Sequence, residues 1–102
     1  MSSSHGNKGE KDKDKENLDN LMFLSNAYIA QKKYAELEKL FLPLAQKGMM
    51  QAQYLLALGY YHAGNLKEAE RWAKKVLETA KKDNDADNIK IVNHLLDEIK
   101  NK

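Results

Sequence analysis

Apolar residues return every three to four positions along most of this chain, and the rhythm breaks at short polar turns. Leu18, Leu21, Met22, Ser25, Tyr28 and Ile29 fall on one face of a first helix, predicted to begin near Asn17 to Asp19 and end near Gln31 to Lys33. A second helix is predicted over Tyr34 to Lys47, apolar at Leu37, Leu40, Phe41 and Leu44. Gly48 is its expected stop, because glycine enters the left-handed conformation without penalty. Pro43 interrupts this helix, removes a hydrogen bond to Lys39 and predicts a kink or an early end. A helical hairpin follows from about Met50 to Lys82. Its first arm carries Tyr54, Leu55, Leu56, Leu58, Tyr60 and Tyr61; Gly64-Asn65 makes the turn; its second arm carries Ala69, Trp72, Ala73, Val76 and Leu77. Asp83-Asn84-Asp85 offers N-cap chemistry for a last helix, about Ala86 to Ile99, with Ile89, Val92, Leu95, Leu96 and Ile99 on one face.

The chain also matches itself when shifted by about 32 residues: Leu24 meets Leu56, Tyr28 meets Tyr60, Glu36 meets Glu68 and Glu38 meets Glu70. Conservative pairs accompany them, such as Ser25 with Ala57 and Lys39 with Arg71. Two helices repeated at such a period are the mark of a helical solenoid, in which neighbouring hairpins bury a continuous core. Composition agrees with an all-α fold. Leu, Ala, Lys and Glu are common, while five Gly and one Pro leave few breakers among 102 residues.

Leu56, Ala57, Tyr60, Gly64, Ala69 and Val76-Leu77 resemble the tetratricopeptide repeat pattern. Ala45-Gln46-Lys47-Gly48, Ala52, Leu58-Gly59-Tyr60-Tyr61, Gly64, Ala69 and Trp72-Ala73 also resemble the related Sel-like repeats, and both variants remain open. The resemblance spans about Leu18 to Lys82. It implies a short right-handed α-solenoid of five helices, with repeat one at 18–48, repeat two at 50–82 and a capping helix at 85–100. Leu21 and Gln53 stand where the pattern has tryptophan, Met49 and Lys81 where it has proline, and Lys32 where it has the turn glycine. Leu37 replaces the usual alanine, so the first hairpin is expected to be more open.

The resemblance further implies that the first helix of each hairpin lines a concave face. That places Met22, Phe23, Asn26 and Ile29 of repeat one, Tyr54, Leu58, Tyr61 and His62 of repeat two, and Ile89, Asn93 and Leu96 of the last helix on a partner-binding groove. Only Asn26 fits the carboxylate-gripping pattern of the family's chaperone-binding members, so no such clamp is expected. The groove is apolar and aromatic, suited to an amphipathic helix or an extended peptide. The expected function is that of a protein-binding module: an adaptor, scaffold or small chaperone. The alternative is a self-assembling structural repeat protein without a separate ligand. Two repeats and one helix make a short solenoid, so homo-oligomers are a further expectation.

Other functions find little purchase. His62 and His94 stand without partners at ligand spacing, His5 lies in the polar N-terminal stretch, and cysteine is absent, so no metal site and no cofactor are expected. No phosphate-cradling glycine loop or nucleophile elbow occurs, and an enzyme is not expected. A net charge of +2 gives no field to draw nucleic acid. Lys67, Arg71, Lys74 and Lys75 are interleaved with Glu68, Glu70 and Glu78 as a solvated face. Residues 1–17 alternate Lys with Asp and Glu, cannot anchor a core and are expected to be a disordered tail. No apolar run approaches the roughly 18 residues of a membrane span, and a soluble, cytoplasmic protein is expected.

Overall fold

The computed structural model describes residues 20–102, so the expected tail and the expected start of the first helix lie outside the described residues. Every described segment longer than a turn is helical. The first helix, α1, covers residues 20–30. It is followed by α2 (Tyr34–Gln46), α3 (Met50–Ala63), α4 (Leu66–Lys82) and α5 (Ala86–Lys100).

All four connections are built the same way. Lys32, Gly48, Gly64 and Asn84 have positive φ, at 59°, 96°, 88° and 54°. In each turn the amide of that residue donates three positions back and the next amide donates five back. The second set is Lys33 to Tyr28 at 2.8 Å, Met49 to Leu44 at 3.2 Å, Asn65 to Tyr60 at 2.9 Å and Asp85 to Ala80 at 2.9 Å. This Schellman closure satisfies carbonyls that a helix end otherwise leaves free. The following residue starts the next helix. Asn65 Oδ1 accepts from the Glu68 amide at 3.4 Å, and Asp85 Oδ1 accepts from the Asn88 amide at 3.2 Å. Lys33 and Met49 occupy the same place without a capping side chain.

Lys32 therefore adopts the backbone of the absent glycine. The left-handed conformation costs a residue bearing a Cβ on the order of 1 kcal/mol, and a missing N-cap costs about as much. The double variant Lys32→Gly, Lys33→Asn copies the Gly64-Asn65 turn and is expected to stabilise the protein by about 1–2 kcal/mol. A raised urea midpoint would show it; an unchanged midpoint would mean that the first turn carries no such penalty.

Pro43 neither ends α2 nor disturbs its exit. The helix runs on to Gln46, and the Lys47 amide donates to the Pro43 carbonyl at 3.2 Å. Pro43 and Lys39 are both exposed, which leaves the site of the bond that proline removes on the solvent side of the helix.

The helices pack in chain order, α2 on α3, α3 on α4 and α4 on α5, and α3 also touches α5 lightly. The core runs through these contacts: Leu37, Phe41 and Ala45 from α2; Ala52, Leu55, Leu56 and Ala57 from α3; Ala69, Trp72, Ala73 and Val76 from α4; Val92, Leu95 and Ile99 from α5. The thinnest extent is 19 Å, about two helix diameters. Leu37 seats its bulk against α3. A Cβ built on Gly59 would lie 2.6 Å from Leu37 Cδ2, so the glycine makes the room. Gln53 is buried, and its Nε2 donates to the Ala45 carbonyl at 3.0 Å, tying the start of α3 to the last turn of α2.

Candidate protein-binding face

Helices α1 and α3 share one property of composition. Among residues 20–30 and 50–63 there is no Asp, Glu, Lys or Arg, although 31% of the chain is charged. The polar atoms on these stretches are amides, hydroxyls and one imidazole. Among the described residues the charged side chains sit on α2, α4, α5, the turns and the C-terminus. On α4 they pair along the helix, Arg71 with Glu68 at 3.0 Å and Lys74 with Glu70 at 3.6 Å. Such exposed pairs contribute little to stability.

Met22, Phe23, Asn26 and His62 are exposed on these two helices, and Ile29, Tyr54, Leu58 and Tyr61 are half-buried. Half-burial leaves each of the last four with one side in the core and one side open. Tyr54 joins Lys90, Ile91, Asn93, His94 and Asp97 in a shallow groove between α3 and α5. Burial, and then the charge of Glu98, raises its hydroxyl above the ordinary tyrosine pKa, so Tyr54 is a neutral donor at physiological pH. Tyr61 meets His62 edge-on at 5.3 Å, and Lys102 Nζ lies 5.1 Å from the Tyr61 ring centroid.

On α5 the exposed and half-buried residues divide differently from the sequence expectation. Asn93 lines the groove, whereas Ile89 and Leu96 are half-buried and are not among the residues lining it. Lys90, Ile91, His94 and Asp97 were missed. The signal that finds them is the cap: counting from N-cap to N-cap, Met49 to Asp85, places Lys90 under Tyr54, His94 under Leu58 and Asp97 under Tyr61. Hydrophobicity alone selects Ile89 and Leu96 instead.

A second, smaller cleft of about 170 Å³ lies between α2 and α3, with Tyr34, Leu37, Glu38, Gly59 and Tyr60 among its walls. Tyr60, a core residue by its spacing, is only half-buried there, and its hydroxyl donates to Glu38 Oε2. Burial and this hydrogen bond hold the phenol neutral far above its usual range. Among the described residues no three His, Cys, Asp or Glu side chains are placed to hold a metal ion, and no helix is long and apolar enough to cross a membrane. Among the described residues His94 pairs with Glu98, at 3.4 Å.

No family model, curated protein or solved structure matches this chain.

Proposed function

We propose that this protein is a tetratricopeptide-like binding module, an adaptor or small chaperone that works by holding another protein rather than by catalysis. One observation carries the reading: the exposed and half-buried side chains of α1 and α3 form surface without a charge in a heavily charged chain. The uncharged Tyr, Met, Leu and Asn of α1 and α3 are cheap to desolvate, and the ionised groups Lys90 and Asp97 stand only at the α5 border beside Tyr54. Tyrosine adds large area at low entropic cost, with a hydroxyl for orientation. The occupant that suits it is an amphipathic helix or an extended apolar segment, with Tyr54, Leu58 and Tyr61 as anchors and Met22, Asn26 and His62 around them.

Selection from a displayed library of amphipathic helical peptides tests this. Leu58→Ala and Tyr61→Ala are expected to weaken a selected peptide about tenfold each, corresponding to about 1.4 kcal/mol. Their circular dichroism should stay native, and Lys74→Ala on α4 should bind normally. Peptides that bind all these proteins equally would show that the face is not the site.

A further inference from the structure

The two ends of the helical array are finished differently. Phe23 occupies the position in α1 that Leu55 holds in α3, by the shift of 32 residues that also superposes Lys32 on Gly64. Leu55, on the helix with neighbours on both sides, is 3% exposed, whereas Phe23 is 72% exposed and the adjacent Met22 is 45% exposed. The matching residue at the far end is Ile91, 46% exposed, but it sits among Lys90, His94 and Asp97. The α5 end is thus dressed in charge, as a terminal repeat should be. The α1 end is bare: Phe23, Asn26 and Ala30 form an exposed stripe at i, i+3 and i+7 without any charge.

We propose that the α1 edge is where two copies of this chain meet, with Phe23 of each copy packed against α1 of the other across a two-fold axis. This goes beyond the binding of a partner in the groove and does not depend on it, although Asn26 borders both surfaces, so that a dimer and a groove partner would compete there. Three observations select a second copy. Residues 1–19, which lead directly into α1, hold only Met1 and Leu18 as large apolar side chains among alternating charges, so they lack the chemistry to cover Phe23. Head-to-tail stacking on the α5 end would bury Lys90 and Asp97 against an uncharged helix, at the cost of desolvating both. Pairing α1 with α1 brings together two neutral faces, buries no charge and closes the assembly at two copies. The interface is small. Over 20–30 the helix is roughly 16 Å long, and a pair of that length covers less than the roughly 1,200 Å² of a standard stable interface, so a dimer in the micromolar range is expected.

Sedimentation velocity over a wide concentration range tests the proposal on the full chain. The expected result is a monomer that becomes a dimer, with Phe23→Glu at least tenfold weaker in association and unchanged in helix content. Ile91→Glu and Leu58→Ala should dimerise normally. Because the chain has no cysteine, Asn26→Cys supplies a second readout, a single thiol expected to form an intermolecular disulfide on oxidation only at concentrations where dimer is present. A wild-type protein that stays monomeric throughout, a Phe23→Glu variant that dimerises as well as wild type, or an Ile91→Glu variant that fails to dimerise would each overturn the proposal. Because Leu58→Ala is read for peptide binding and Phe23→Glu for dimerisation, failure of one reading leaves the other standing.

Discussion

Truncating Phe41 to alanine is expected to cost about 3–5 kcal/mol, the range for deleting a buried phenylalanine. Phe41 is the largest of the fully buried side chains, and it sits in α2 one helical turn from both Leu37 and Ala45. The loss combines the transfer of the ring with the cavity left among rigid helices. A domain of this size has a total stability of about 4–12 kcal/mol. Phe41→Ala should therefore bring the urea midpoint down by about a quarter or more, and in a marginal background leave the chain unfolded. A midpoint shift worth less than about 1 kcal/mol would mean that α2 rearranges to refill the space.

The second expectation concerns how size is shared between helices. At the α2–α3 contact the large residue is Leu37 and the small one is Gly59. At the corresponding positions of α4 and α5 the order is reversed, with Ala69 and Leu95, both buried. Each single change at the first contact should be costly. Leu37→Ala leaves a hole worth about 2–5 kcal/mol. Gly59→Leu drives a side chain into space that Leu37 already fills, at about 1–3 kcal/mol. The two together exchange the sizes, as Ala69 and Leu95 do at the corresponding positions of α4 and α5. The double variant is expected to recover at least 1 kcal/mol relative to the sum of the singles. Urea denaturation of the four proteins of the cycle measures this coupling; simple additivity would show that the pair does not share one space.

Helix positions were legible in the sequence because each boundary has a local cause. Gly48, Gly64 and Asp85 announce turns by their own chemistry, and the spacing of Leu37, Phe41 and Ala45 or of Val92, Leu95 and Ile99 marks the inward faces. What was not legible depends on neighbours distant in the chain. Lysine at position 32 gives no sign of a left-handed backbone by its own chemistry; only the shift that lays it on Gly64 marks the place. Gln53 reads as surface until the Ala45 carbonyl is opposite it. The seat of Leu37 was not legible because the absent Cβ that receives it is 22 residues away, at Gly59. For the face, α1 and α3 could be picked out from periodicity and resemblance. The groove side of α5 was less legible, because of its apolar residues only Ile91 lines the opening, among Lys90, Asn93, His94 and Asp97.

Packing in chain order has a consequence for how the molecule comes apart. Apart from the light touch between α3 and α5, the packing of α2 to α5 joins immediate neighbours, so little would hold α5 in place once its seat on α4 is lost. Unfolding should begin at an end and spread inward, with α3 the last to let go. A partner laid over Tyr54 and Ile91 would fasten two helices that otherwise touch only lightly. Occupancy would then be felt as a change in the order of unfolding as well as in its midpoint, and the empty protein would be the one that frays.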